Sequence, residues 1–379
     1  MRLHLLGLPQ APANKDYNIY AFTQKIINFC KMFKQQGMYV IYYGTDLCDV
    51  ECDEFVPITS KKLLDVEFRK MYGNANWKEH GLVNASDELT DIFNKKSSLE
   101  ISFRKKPKDF LVTFYGHPHK QIFDNHSDLI GVEVSIGYPS AFAPYKVYES
   151  YAVRHGLEGQ PKIAEAKINF YDTVIPSGFD LNEFEFSADK EDYFLMCGRI
   201  VWAKGMDIAI EVTKKLNKKL ILAGTTHGVN HNFPDHVEFI GPVNIEQRKK
   251  LMAKAKATFC PTYYNEPFGY VAIESMLSGT PVITVDYGAY TETVLHGITG
   301  YRCSTFEQFC WAAENIEKIS PHDCRYWAEK NYSLEKVGAM YKDYFESLEK
   351  LFTEKGWYSE NPNRINLDYL KKYYPNENV

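Results

Sequence analysis

Residues 193–225 read YFLMCGRIVWAKGMDIAIEVTKKLNKKLILAGT. The run YFLMCGRI is apolar and short, as a buried strand is. MDIAIEVTKKLN then sets Ile208, Val212 and Leu216 four residues apart, the spacing of one helix face. KLILAGT returns to a strand pattern. A strand, a helix and a second strand with short connections make a parallel βαβ unit, the building block of α/β folds. The same alternation continues through VEFIGPV (237–243), ATFCPT, PVITVD and GYRC. Asn244 and Gln247 have the spacing of a helix-start box before IEQRKKLMAKA. A domain over 179–335 follows, with a connector near Pro176–Asp180 as its hinge.

Upstream the grammar repeats. RLHLLGL (2–8) reads as a strand. Ile19, Phe22, Ile26, Phe29 and Phe33 give a helix over 19–36, ended by Gly37. MYVIYYG (38–44), DFLVTFYG (109–116) and DLIGVEVSIGY (128–138) read as further strands. A short strand near 55–58 and helices over 61–72 and 86–96 fill the interval, and APYKVYESYAVRHG (143–156) reads as a helix. Residues 1–178 therefore form a first domain, closed by helices from 336–379 that carry Tyr341, Tyr344, Leu348 and Leu351 at helical spacing. The expected fold class is α/β, two Rossmann-like domains facing a central cleft where ligands meet the carboxyl ends of the strands.

The chain has 379 residues and a formal charge of −5, which argues against wholesale electrostatic binding of nucleic acid. Two basic runs, Arg104-Lys105-Lys106 and Arg248-Lys249-Lys250, read as solvated faces. The first permits a membrane-surface or nucleic-acid acceptor. The eight cysteines have neither CxxC pairing nor zinc spacing, as expected of buried thiols in a reducing cytosol. The N-terminus lacks the apolar core of a signal peptide and no run is long enough to span a membrane, so a cytoplasmic location is expected.

Chemistry concentrates in NEPFGYVAIESMLSGTPVITVDYGAYTETVLHGITGYRC (265–303). Glu266 lies in a loop and Glu274 about one turn inside the helix that follows, with Pro267-Phe268-Gly269 between. A helix start attracts anions through its N–H groups and dipole, while carboxylates accept from vicinal hydroxyls. Together they suit a nucleotide sugar, gripped at both its phosphate and sugar ends. Arg199 and Lys204, after the strand at 193–200, add a guanidinium and an ammonium suited to a diphosphate. No Asp-x-Asp occurs to carry a metal–diphosphate bridge, and no metal site is expected. His117 and His119 follow a strand of the first domain, where a histidine can donate to a sugar hydroxyl or a reacting oxygen. Gly7, after the first strand, could let the backbone approach a ligand.

The pieces VIPSGFDLNEF, CGRIVWAKG, KLILAGT, VEFIGPV, the Glu266–Glu274 unit and HGITGYRC, in that order over about 170–305, resemble the GT-B retaining glycosyltransferases of family GT4 (glycosyl transferases group 1). The first domain matches in outline and lacks a glycine-glycine loop after its first strand. The resemblance implies that Arg199 and Lys204 hold the donor diphosphate, Glu274 the ribose and Glu266 the transferred sugar. It implies that the Phe268, Gly269, Tyr270 and Val271 backbone faces sugar hydroxyls and phosphate, that the nucleobase sits near Pro242–Val243, and that His117 stands beside the sugar. The expected activity is metal-independent, cofactor-free transfer from a UDP- or GDP-sugar to a hydroxyl of a glycan, lipid, protein or modified nucleobase. The alternatives are a nucleotide-sugar epimerase, a phosphorylase and a non-catalytic nucleotide-sugar-binding module.

Overall fold

The computed structural model describes residues 1–15, 21–75, 85–159, 169–226 and 232–353. The chain divides into two compact units, one of Met1–Tyr148, Glu165–Gly178 and Leu334–Val379, the other of Glu149–Ala164 and Phe179–Ser333.

In the first unit, parallel strands β1 (Arg2–Leu6), β2 (Tyr39–Thr45), β3 (Glu54–Thr59), β4 (Phe110–Thr113), β5 (Ile130–Ile136), β6 (Tyr145–Tyr148) and β7 (Thr173–Val174) lie in the order β3-β2-β1-β4-β5-β6-β7. Strands β4 and β5 are buried along their whole length, as parallel strands covered on both faces must be. Helix Ala21–Gln35 covers one face with Ile26, Phe29 and Phe33, and Gly37 turns the chain out of it at φ +74°. Ile19 lies outside the described residues. Helix Leu334–Thr353 returns from the far end of the chain and sets Tyr341 against Phe29 and Phe345 against Phe33, edge-on. Tyr341, Tyr344 and Leu348 are buried there as their spacing requires. The rest of the expected C-terminal helices, 354–379, lies outside the described residues.

The second unit repeats the plan with β8 (Tyr193–Cys197), β9 (Lys219–Ala223), β10 (Val237–Gly241), β11 (Ala257–Cys260), β12 (Val282–Val285) and β13 (Gly300–Cys303), ordered β10-β9-β8-β11-β12-β13. All pairs are parallel. In both units the order reverses once, beside the first strand, and the loops after the two strands flanking that point are the natural ligand site. In the second unit these are the loops after β8 and β11.

Three local expectations are corrected. Residues 143–156 are not one helix: Tyr145–Tyr148 is strand β6, paired between β5 and β7, and helix Tyr151–Glu158 starts after Ser150. A four-residue run with two tyrosines and a valine fits a pleated surface, and the Ser150 hydroxyl accepts from Val153 N–H to begin the helix. The domain boundary also shifts. Segment 149–158 belongs with the second unit, because Glu292 accepts from the Tyr151 and Ala152 N–H groups at 2.8 Å each and the Ser150 hydroxyl donates to the Pro267 carbonyl at 2.7 Å. The helix expected over 86–96 runs on to Arg104.

Candidate functional site

Strand β8 ends at Cys197, and the chain passes through Gly198, Arg199 and Ile200 into a single 3-10 turn, Trp202–Lys204. Gly205 follows at φ +74° and opens helix Met206–Lys215. A Cβ at Gly205 would stand 1.9 Å from the Pro261 carbonyl oxygen. The loop after β11 thus presses directly on the turn that carries Lys204, and the Tyr263 N–H donates to the Ala203 carbonyl at 3.0 Å. Gly205→Ala is expected to cost roughly 1–3 kcal/mol from its backbone conformation alone, with the collision added. Urea unfolding reads this, and an unchanged midpoint would rule out the packing described.

This contact brings Lys204 to Glu266. Lys204 Nζ lies 2.7 Å from Glu266 Oε2 and 4.9 Å from the centre of the Tyr264 ring, and the Tyr264 hydroxyl donates to the same carboxylate oxygen at 2.7 Å. Burial and the neighbouring Glu266 hold the Tyr264 hydroxyl protonated, well above the usual phenol range. Glu266 therefore accepts through Oε2 from an ammonium and a phenol, and among the described residues its other oxygen has no hydrogen-bond donor. Arg199 is exposed and makes no ion pair or side-chain hydrogen bond among the described residues. It stands in the same loop after β8 as Lys204 and acts electrostatically on Tyr264.

Helix Tyr270–Leu277 starts from Gly269, at φ +86° and with no side chain to cap the first N–H groups. A Cβ there would meet the buried Tyr290 ring at 2.7 Å. Phe268 points into the core between Phe179, Tyr270 and Tyr332, so only its backbone faces the loop. The Tyr270 hydroxyl donates to Glu149 at 2.6 Å. One turn on, the Glu274 side chain is 12% exposed and pairs with Arg248 Nη1 at 3.3 Å. Burial pushes the Glu274 carboxyl up and the Arg248 guanidinium holds it down. The same pairing raises Arg248 further above its usual range. The basic run 248–250 is thus not simply a solvated face: helix Ile245–Lys254, begun by the Asn244–Gln247 capping box, turns Arg248 inward. Val243, Cys197 and Val271 lie half-buried on one apolar cluster that includes Leu195 and Ala223.

In the first unit, the histidines after β4 part ways. His119 is fully buried, with Nδ1 2.7 Å from the Thr113 hydroxyl and its ring stacked on Phe93, and burial lowers it to about 3. It is a neutral core residue. His117 is exposed, its ring edge-on to Phe142. Buried Glu133 on β5 holds the loop that carries Phe142, accepting from Phe142 N–H at 2.8 Å, Ala143 N–H at 3.2 Å and the Tyr138 hydroxyl at 2.9 Å. Gly7 is explained by packing: a Cβ would meet the Tyr42 hydroxyl at 2.3 Å.

The structure thus joins Lys204 to Glu266 and gathers Glu274, Gly269, Tyr270, Val271, Val243 and Arg199 in one unit, with His117 and Gly7 in the other. Sequence reading missed Tyr264 and Arg248. Tyr264 has no periodic signal in its loop. Arg248 has one, because four residues from Asn244 it falls on the half-buried side of its helix.

Residues 180–333 match the family model described as glycosyl transferases group 1. An uncharacterized glycosyltransferase of Methanocaldococcus jannaschii is 33% identical over 156 residues, covering 34% of this chain and 39% of that protein. The chain spans about two fifths of the length of the curated relatives it matches. Among solved structures, sucrose-phosphate synthase from Thermosynechococcus elongatus superposes with a TM-score of 0.68 at 17% identity, covering 92% of this chain and 98% of that one. The Anabaena protein HepE in complex with UDP-glucose does so with a TM-score of 0.56 at 15% identity, covering 92% and 100%. Residues 180–333 are thus similar to the glycosyl transferases group 1 family, and the two parallel-sheet units have the GT-B fold.

Proposed function

We propose that this protein is a retaining glycosyltransferase that moves a sugar from a nucleotide-diphosphate sugar, UDP- or GDP-linked, to an acceptor hydroxyl without a metal. The observation that carries the reading is the meeting of Lys204 with Glu266 beside the uncapped start of helix Tyr270–Leu277, with Arg199 exposed nearby. A cation, a carboxylate and a helix start within one loop cluster suit a ligand that is anionic at one end and hydroxylated at the other. The likeness to a protein solved with UDP-glucose supports the same ligand class.

In this mechanism the bond from the anomeric carbon to the β-phosphate oxygen breaks and its electrons go to the diphosphate. Arg199, Lys204 and the helix start stabilise that charge as it develops, which is where stabilisation lowers a barrier. The leaving oxygen takes the acceptor proton on the same face, so the acceptor oxygen bonds the anomeric carbon with retention. Glu266 accepts from hydroxyls of the transferred sugar, Glu274 from the ribose, and the apolar edge at Val243 and Val271 underlies the base.

The test is a thermal-shift and hydrolysis screen across UDP-, GDP-, ADP- and dTDP-sugars, with and without a chelator. Ligand binding raises the unfolding temperature with the logarithm of ligand excess. One nucleotide class is expected to stabilise the protein and to be hydrolysed slowly, with the product anomer matching the donor. Stabilisation without any turnover supports the binding-module alternative. Inversion of the anomer excludes the mechanism above.

A further inference from the structure

Helix Asp87–Arg104 packs Phe93 and Ile101 into the first unit and turns its opposite side to solvent. On that side Leu99 is 56% and Phe103 75% exposed. Residues three and four apart share a helix face, so Lys95, Lys96, Leu99 and Phe103 form one stripe, continued past the helix end by exposed Lys106 and Lys108. Lys95, Lys106 and Lys108 have no carboxylate partner among the described residues. The acids on the solvent side are Asp87, Glu88 and Asp91 in the first turns and Glu100 near the end, of which Glu88 is paired with Lys70 and Glu100 with Arg104. The basic run 104–106 is itself mostly neutralised: Arg104 binds Glu54 and Glu100, and Lys105 binds Asp128 at 2.7 Å. The free positive charge therefore surrounds the two apolar side chains instead of following the run in the sequence.

We propose that this face docks the protein on an anionic bilayer surface, with Phe103 and Leu99 entering the boundary between headgroups and acyl chains and Lys95, Lys96, Lys106 and Lys108 facing lipid phosphates. A helix with bulky apolar residues ringed by lysines has the form of an interfacial helix. The chain as a whole carries −5, so attraction to an anionic surface must be local, and this half of the helix supplies it. A nucleic acid would give Leu99 no partner, since its phosphates need cations and its bases need aromatic faces. The inference stands independently of the donor reaction, because none of these residues lies in the donor site.

The experiment is flotation of the full chain with vesicles of phosphatidylcholine alone and with vesicles rich in phosphatidylglycerol. Binding is expected to the anionic vesicles only, and to fall with added salt. The double variant L99S/F103S is expected to lose most of the binding. Each lysine contributes roughly a fivefold change in partitioning near an anionic surface, so K95E/K106E should reduce binding by well over tenfold. Thermal unfolding of both variants checks that the fold is intact, as expected for exposed positions. Equal binding to both vesicle types, wild-type binding by the folded variants, or binding of duplex nucleic acid with no vesicle binding would each overturn the proposal.

Discussion

Replacing Lys204 by alanine is expected to lower turnover at least ~100-fold, as removal of a single electrostatic donor to a developing oxyanion does elsewhere, and Arg199→Ala should do the same. The two variants separate cause from side effect. Lys204 also partners Glu266, so its loss changes the carboxylate's surroundings as well as the cation count. Arg199 is exposed and makes no ion pair or side-chain hydrogen bond among the described residues, so its replacement should leave folding untouched and report charge alone. The loss should fall mainly in kcat, because the diphosphate carries most charge after the bond has begun to break. Steady-state kinetics with saturating donor measures this. Full activity in both variants would remove the diphosphate from this part of the protein.

Arg248→Met is expected to weaken both the fold and the hold on the donor, with a dependence on pH that identifies the cause. Glu274 is nearly buried and Arg248 is its salt-bridge partner. Stripping one partner from a fully buried pair costs about 3–5 kcal/mol. Arg248 is about a third exposed and water can reach the vacated place, so roughly 1–3 kcal/mol is expected at neutral pH and above. Burial already raises the Glu274 carboxyl above the usual range, and without the guanidinium it rises further. An acid raised in the folded state favours folding at low pH, and that advantage is lost as pH rises through its folded pKa. The gap between wild type and variant should therefore be small below the ordinary carboxylate range and widen with rising pH. Thermal unfolding at about pH 5 and about pH 8 reads it. A gap that does not move with pH would mean that Arg248 does not keep Glu274 ionised. Donor KM should rise in the same variant, since a protonated carboxyl accepts less well from a ribose diol.

Much of the fold was legible because its signals are local. The four-residue spacing of Ile208, Val212 and Leu216 is a helix face wherever it occurs, and Asn244 and Gln247 cap their helix as the sequence predicts. The segment 143–156 departs from the expected single helix because the four residues Tyr145–Tyr148, whose tyrosines and valine suit a strand, are too short a run to show it locally and are fixed by pairing with β5 and β7. His117 and His119 have nearly identical sequence settings. One is exposed and one is a buried, neutral core residue, and only the packing of Phe93 and Thr113 around His119 separates them.

The sequence by itself determined most of the strands and helices, though not β6, together with the parallel α/β class and the residue types available at the strand ends. Those properties rest on interactions within about one helical turn or one strand. The tertiary structure alone decided the partnerships. Lys204 meets Glu266 because β8 lies next to β11, two strands that are not neighbours in the chain. Arg248 meets Glu274 because the capping box orients one helix beside another, and segment 149–158 joins the second unit because Glu292 caps its helix. Sheet order brings charges of opposite sign together across distances along the chain at which no local propensity acts. In a sheet that reverses its order beside its first strand, that meeting point is also where the loops leave room for a ligand.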